Sequence, residues 1–383
     1  MDKKALLSLA VGTFSLGIAE FSMMGILSDV AEGVGVSIVE AGHLISAYSL
    51  GVAIGAPALI LLRRLPLKRL MLLLAAVIFT GNFCAAISPG FYTLMGARLL
   101  SGLPHGAFFG AGAIVCSRLA GSGKGAQSVA MMVGGMTVAN LIGVPMATFL
   151  SNTFNWRLVF VLVSLFAAIC FVCMRVGLPR LDSLPDTGLR GQFRFLRHIE
   201  PWLIYGGVFF GQASVYCWFS YIDPVMTDVA GFNATQLTWV MVVAGAGMVA
   251  GNLLAGKMAD RFGAARVSFG IALTLIAVMA LVYFFAWNKA ISVLLTFFAT
   301  AGLFGIGGPL QYLIVRYAKG GEMLGGAGIQ IAFNVSNAMS AAVGGMVIRA
   351  GFGYAAPALA GIPFAIIGAI SLFALCGKSH KGV

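Results

Sequence analysis

Residues 41–62 read AGHLISAYSLGVAIGAPALILL, a run without Asp, Glu, Lys or Arg, and Arg63-Arg64-Leu65-Pro66-Leu67-Lys68-Arg69 follows it. A second charge-free run over 70–97 comes next. Each run is long enough to cross the hydrocarbon of a bilayer, which takes about 20 apolar residues as a helix. The basic stretch between them is too short to be a domain, so it reads as a turn joining two crossings.

Outward from this pair, further charge-free runs cover 99–117, 125–156, 158–174, 201–222, 229–256, 267–288, 290–315, 323–348 and 350–377. A twelfth candidate, 5–28, is interrupted only by Glu20. The composition agrees: 9% of the 383 residues are charged and 60% are hydrophobic, whereas soluble domains carry about 25% charge. A chain with 24 basic and 12 acidic side chains cannot cover a water-facing surface. Soluble, disordered and disulfide-stapled classes are thereby excluded. The expected fold class is an all-α membrane protein of 12 transmembrane helices, because helices satisfy their own backbone in lipid.

Where the charges sit gives the sidedness. With the N-terminus inside and twelve crossings, 20 Lys and Arg fall on the inner side, 3 (Arg157, Lys289, Arg349) on the outer side, and Arg98 within a span. Basic residues stay cytoplasmic, so both termini are expected in the cytoplasm. The net charge of +12 is then a topology signal and a contact for anionic membrane lipids, with no nucleic acid implied. The start, Met1-Asp2-Lys3-Lys4 followed by apolar residues, reads as a retained first span, since its apolar stretch exceeds a signal-peptide core. Cys170 and Cys173 form a C-x-x-C pair within an apolar run that has no His or acid nearby. They read as small apolar fillers, and no metal or cofactor is expected.

The longest polar interval, 175–200, holds Pro179 and Pro185 and follows the sixth span. It divides the chain into an N-terminal six-helix bundle (1–174), a cytoplasmic linker (175–200) and a C-terminal six-helix bundle (201–383). The loop 63–69 is partly matched by Asp260-Arg261-Phe262-Gly263-Ala264-Ala265-Arg266, 197 residues later, as expected of two pseudo-symmetric bundles.

Gly256-Lys257-Met258-Ala259-Asp260-Arg261-Phe262-Gly263-x-x-Arg266 resembles the signature loop of the major facilitator superfamily. Arg98-Leu-Leu-Ser-Gly102-Leu-Pro104-His105-Gly106 resembles its embedded-arginine motif in span 4. Gly135-Met-Thr-Val-Ala-Asn140-Leu-Ile-Gly143-Val-Pro145 is similar to the antiporter motif of its exporters in span 5. Gly12-Thr-Phe-Ser-Leu-Gly17-Ile-Ala-Glu20-Phe21 resembles the first helix of its bacterial drug–proton antiporters, the arabinose-efflux-like members in particular. The resemblance covers the whole chain. One departure stands out: the first loop has Arg63 where the second has Asp260.

The resemblance implies proton-coupled export of a small organic solute, drug-like or sugar-like, by alternating access. The crossings make the chain a multi-pass protein of the cell membrane (the inner membrane if the source is a Gram-negative bacterium), and six plus six helices can enclose a path as a monomer. A carboxylate as deep as Glu20 costs several kcal/mol unless paired, hydrated or protonated. It reads either as a proton carrier or as a packing contact. Arg98 either faces the interior beside that carboxylate or snorkels to the headgroups, and His105 is a third proton-coupling candidate, a titrating group or a polar contact. Asp29 and Asp223 are expected near the outer ends of spans 1 and 7 as solvated helix ends, with Asp223-Pro224 lining the outer mouth as the alternative. Gly135, Asn140, Gly143 and Pro145 suggest a pliable, closely packed helix between the bundles.

Gly256, Asp260, Arg261, Gly263 and Arg266 read as a gating loop, with Asp260 latched to the start of span 5 near Gly125 and Gln127. Gln212, Tyr216, Trp218, Gln311, Asn334 and Asn337 are the candidates to line a substrate cavity at the midplane. An uptake symporter of the same fold is the alternative. A membrane-embedded enzyme is disfavoured, since no D-x-x-D or H-x-x-x-H occurs, and a primary pump because no phosphate loop does.

Overall fold

The computed structural model describes residues 3–62, 65–119, 125–183, 193–318 and 322–379, and regular structure among them is helical. Arg63 lies outside these residues, as do the side chains of Asp260 and Gln127. Helix α1 spans Lys3–Gly25, a short α2 spans Leu27–Val34, and α3, α4 and α5 span Ile38–Leu61, Leu67–Ala86 and Phe91–Leu119. Then come α6 (Gly125–Val138), a π-turn (Ala139–Gly143), α7 (Val144–Thr153) and α8 (Arg157–Gly177). Further on, α9 spans Ile199–Phe219, α10 Ala234–Phe262, α11 Ala264–Phe285, α12 Lys289–Tyr317, α13 Glu322–Val347 and α14 Pro357–Ser379.

Eleven segments among the described residues are long and apolar enough to cross a membrane, with α6, the π-turn and α7 forming one of them. The sequence leads one to expect twelve. The remaining candidate is α9, a helix of 21 residues that is not among the eleven. Its Glu200, Gln212, Ser214 and Tyr216 dilute its apolar content.

Most of these helices are apolar all round, which suits a helix packed on one side and bathed in lipid on the other. Leu165, Phe284, Ile370 and Phe373 are each more than one-third exposed, a costly arrangement in water. Trp202, Trp239 and Trp287 lie exposed near helix ends, where amphipathic rings favour the membrane interface.

Helix α1 packs on α6 and α8, α3 on α5, and α4 on α5 and α8. Likewise α9 packs on α12, α13 and α14, α10 on α12, and α11 on α12 and α14. Between these two groups the main contacts are α3 with α13, and α10 with α7 and the π-turn. The buried apolar residues divide in the same way. At the end remote from the chain termini, one continuous core joins both groups, running from Ile18 through Val159 and Tyr221 to Ala358. Towards the termini lie two separate cores, one built on α1, α4, α5 and α8 (Leu9, Met71, Phe108, Cys170), the other on α9, α11, α12 and α14 (Ile204, Ala272, Leu310, Leu372).

Hydrogen bonds cross between the groups at the remote end. The Ser28 amide donates to Asp223 Oδ2 (2.7 Å), the Asn152 amide to the Ala234 carbonyl (2.8 Å), and the Ser46 hydroxyl to the Ala338 carbonyl (2.9 Å). At the terminal end the identified bonds stay within a group. Lys68 Nζ donates to the carbonyls of Arg175 (2.9 Å) and Leu178, Arg118 donates to the Asp182 carbonyl (3.0 Å), and Lys378 pairs with Glu200 at 4.0 Å. The expectation of a solvated helix end is corrected for Asp223, while Asp29 stays half-buried at the start of α2. Asp223 is buried beneath α2, and Asp29 accepts from the Ser151 hydroxyl. The turn after α9 folds back under α2 instead of standing out in water.

Candidate functional site

Helices α3 and α5 cross at backbone contact. A Cβ on Gly51 would stand 2.2 Å from the Leu99 carbonyl oxygen, and one on Gly102 2.1 Å from that of Tyr48. Only glycine fits at such a crossing, and it brings Tyr48 of α3 against Arg98 and His105 of α5. Pro104, inside α5, removes one backbone donor next to His105.

These side chains converge on Glu20 of α1. Glu20, Arg98 and His105 are each at most 1% exposed. His105 Nε2 stands 3.8 Å from Glu20 Oε2, within ion-pair reach but too far for a hydrogen bond. The other ring nitrogen, Nδ1, is hydrogen-bonded to the Tyr48 hydroxyl at 2.9 Å, and the imidazole stacks on Phe109 with centroids 5.2 Å apart. When the Tyr48 hydroxyl donates to Nδ1, the ring proton sits on Nε2 and faces Glu20. Arg98 donates to the Ala19 carbonyl (2.8 Å) and lies 4.4 Å above the Tyr48 ring. It faces the interior, and the alternative of a side chain snorkelling to the headgroups does not hold. Among the described residues, neither Glu20 oxygen has a hydrogen-bond partner, nor do Nε and one terminal nitrogen of Arg98. A carboxyl, an imidazole and a phenol are thus chained in reach of a fixed cation, and the arrangement can accept, hold and pass a proton. Sequence reasoning missed Tyr48; its signal was the one Tyr of α3, in a charge-free run.

A second group lies across the interface. Rings run from Phe21, next to Glu20, to Phe304 (5.6 Å), Phe333 (6.4 Å) and Tyr216 (5.5 Å), linking α1 to α12, α13 and α9. Buried beside this run are the Tyr216 hydroxyl, Gln212 Oε1, Asn334 Oδ1 and both amide atoms of Asn337, without hydrogen-bond partners among the described residues. Gln212 donates through Nε2 to the Leu303 carbonyl at 3.2 Å, and Asn334 to the Gln330 carbonyl at 3.0 Å. Gln311 is half-buried on α12 near Gly326. Trp218 is not brought to this group. It lines a crevice with Val225, Met226, Val282, Ala286 and Ser292.

The stretch 135–145 is the contact strip of α1 and α10. A Cβ on Gly135 would lie 1.9 Å from the Ala10 carbonyl oxygen, and one on Gly143 2.6 Å from Ile18. The π-turn begins at Ala139, and Pro145 sits in the first turn of α7. An extra residue per turn of this kind is a recurrent mark of functional helices. The Asn140 carbonyl faces Gly245 of α10. In the 256–266 loop, Gly263 joins α10 to α11 at φ +90°, a left-handed backbone that favours glycine. Arg261 is exposed with its guanidinium 5.2 Å from the Phe262 ring, Gly256 has open space around it, and Arg266 lies near Cys376.

The family model described as Major Facilitator Superfamily matches residues 9–325. The chain is 44% identical over 353 residues to AraJ of Escherichia coli (strain K12), named as a transporter, covering 92% of this chain and 90% of that one. It is 36% identical over 377 residues to the inner membrane transport protein YdhP of Escherichia coli O157:H7, covering 98% and 96%. Among solved structures it is similar to a bacterial homologue of the human lysosomal transporter Spinster in an inward-facing, unoccupied conformation. The TM-score there is 0.73 at 17% identity, covering 98% of this chain and 96% of that one.

Proposed function

Because this chain belongs to the major facilitator superfamily, and is therefore a transporter and a multi-pass protein of the cell membrane, we propose that it exports a small organic solute in exchange for protons. The proposal carries with it twelve crossings, cytoplasmic termini, and two bundles, 1–174 and 201–383, joined by the linker 175–200. Glu20 carries the proton, Arg98 biases its charge state, and His105 relays to it. The observation that carries this reading is the buried Glu20–His105–Tyr48 chain beside Arg98. An isolated membrane charge is expensive, so a carboxyl kept there without a protein hydrogen bond is suited to binding and releasing a proton.

Solute binds between the bundles against Tyr216, Gln212, Gln311, Asn334 and Asn337, where buried polar atoms face no protein partner. Ring faces with neutral amides suit a lipophilic or hydroxyl-bearing solute equally. With the termini inside, the shared core closes the outer face, and the two separate cores make the inner ends the place where the bundles part. Alternating access then needs the outer seal to part while the inner ends close. The gating loop 256–266 supplies the inner latch through Asp260, and the strip Gly135–Pro145 keeps the sliding interface tight.

The test is solute flux in proteoliposomes under an imposed pH gradient. Wild type exchanges solute against protons, and Glu20→Gln loses gradient-driven flux while still binding solute. Wild-type flux indifferent to the gradient, or a fully active Glu20→Gln, overturns the proposal.

A further inference from the structure

Asp223 follows α9 in a turn at the remote end, beyond the spanning helix, and is 4% exposed. Its Oδ2 accepts the backbone N–H of Ser28 at 2.7 Å. Ser28 is the second residue of α2, so this N–H is one of the donors that a helix start leaves without an intrahelical partner. Ile26 at the cap position makes no side-chain hydrogen bond. Asp223 therefore caps α2 from the other group of helices, where a carboxylate also meets the positive end of the helix dipole.

The surroundings work against that carboxylate. Asp29 reaches it from α2 and Asp228 from its own turn, with Asp29 further bound to the Ser151 hydroxyl of α7 and Asp228 to the Thr227 hydroxyl. Tyr354, ahead of α14, lies within electrostatic reach of Asp228. Among the described residues, no Lys, Arg or His forms an ion pair with any of the three acids. A buried charge among like charges is costly unless it is neutralised.

We infer that Asp223 is a second proton-binding site, whose occupancy decides whether the remote end closes. Neutral Asp223 is sealed in beneath α2, whereas ionised Asp223 resists leaving water. Burial, reinforced by Asp29 and Asp228, pushes its carboxyl from 3.8 up to about 7, and the hydrogen bond from Ser28 offsets only part of this. In an open remote end, a solvated Asp titrates near 3.9. The closed form thus binds the proton more tightly. Its advantage is complete below about pH 4 and is lost as pH rises through about 7. Between pH 6 and pH 8 the closed-to-open ratio falls about tenfold. The step is proton binding alone, taken from water at that face. This inference rests on the transport reading for the identity of that face as the outer one, where proton loading then licenses closure.

The experiment is hydrogen–deuterium exchange on the full chain in nanodiscs, following the segment 26–34 and corrected for the intrinsic pH dependence of exchange. In wild type, protection of this segment falls about tenfold from pH 6 to pH 8. Asp223→Asn stays protected at both pH values, and Asp228→Asn moves the wild-type midpoint to lower pH. A wild-type profile that is flat, or an Asp223→Asn profile that follows wild type, overturns the inference. The wild-type course needs no variant to fold. Glu20→Gln keeps the Asp223 profile; if that variant also keeps gradient-driven flux, the export proposal fails while this one stands. A flat profile with Glu20-dependent flux sinks only this one.

Discussion

The two ends of this molecule are made from the same apolar helices and are held in different ways. At the remote end a single core runs across both groups of helices, stitched by Ser28 to Asp223, Asn152 to Ala234 and Ser46 to Ala338. At the terminal end each group keeps its own core, and the basic side chains Lys68 and Arg118 tie down carbonyls of their own group. The contrast locates where the molecule can part at low cost. Each cross-group hydrogen bond is worth only about 0.5–1.5 kcal/mol net, so a handful of them makes a seal that can part. The separate cores are packed like protein interiors, which resist internal rearrangement. A seal of weak bonds between stiff blocks is the two-position element that a rocking transporter requires.

The sharpest way to break this contrast is to wedge the seal. A Cβ on Gly245 would stand 2.1 Å from the Asn140 carbonyl oxygen, a backbone atom that cannot step aside. Overpacking of this kind costs about 1–3 kcal/mol or more. Gly245→Val is expected to lower gradient-driven flux about tenfold or more and to lower the melting temperature in detergent. Gly270→Ala on α11, where the added atom meets nothing, serves as the control and stays near wild type. Wild-type flux from Gly245→Val would remove close approach as a requirement of the seal.

At the terminal end the corresponding test is the asymmetry of the two loops. Helix α10 packs along α7 and the π-turn but only marginally along α6, so the proposed latch between the 256–266 loop and the start of α6 belongs to the other position of the cycle. Asp260→Asn is expected to reduce transport about fivefold or more, in the range of conformational couplings, and Arg63→Asn less than about twofold. Equal losses from both would make the loops equivalent and remove the lopsided latch.

Much of this was legible in the sequence, because membrane helices write their length directly as charge-free runs. The run 158–174 needs nothing else. Helix α9 was read as a span from the run 201–222, yet its own polar residues keep it from matching the other eleven. At the site, Glu20 and Arg98 declared themselves through the cost of charge at that depth. Tyr48 did not, since a Tyr in an apolar run looks the same whether it faces lipid or another helix. Its place is set by the Gly51–Gly102 crossing, a pairing of distant segments that no local pattern encodes. Asp223 was misread for a related reason. The sequence places it at a helix end, and only the fold-back of the following turn buries it under α2.

Tyr48 gives a finer comparison within the deep site. Tyr48→Phe keeps the ring beneath Arg98 and deletes only the hydroxyl that meets His105 Nδ1. Flux is expected to fall about two- to tenfold, matching one hydrogen bond, with the pH midpoint of transport displaced because the imidazole is free to exchange its tautomer. A loss of rate without any pH displacement would reduce Tyr48 to packing.

The smallest effect belongs to Asn152, whose amide bridges α7 to the Ala234 carbonyl at the exposed rim of the seal. Water can replace this bond when the rim parts, so Asn152→Ala is expected to cost about 0.5 kcal/mol or less. Steady flux should stay within about twofold of wild type, a change that size in free energy. Exchange protection around Ala234, read by mass spectrometry, should fall by a similar factor, since the closed rim loses one of its few polar ties. A large loss of flux here would mean that the rim, and not the buried Gly245–Asn140 contact, carries the seal, and the ranking of the two regions argued above would be reversed.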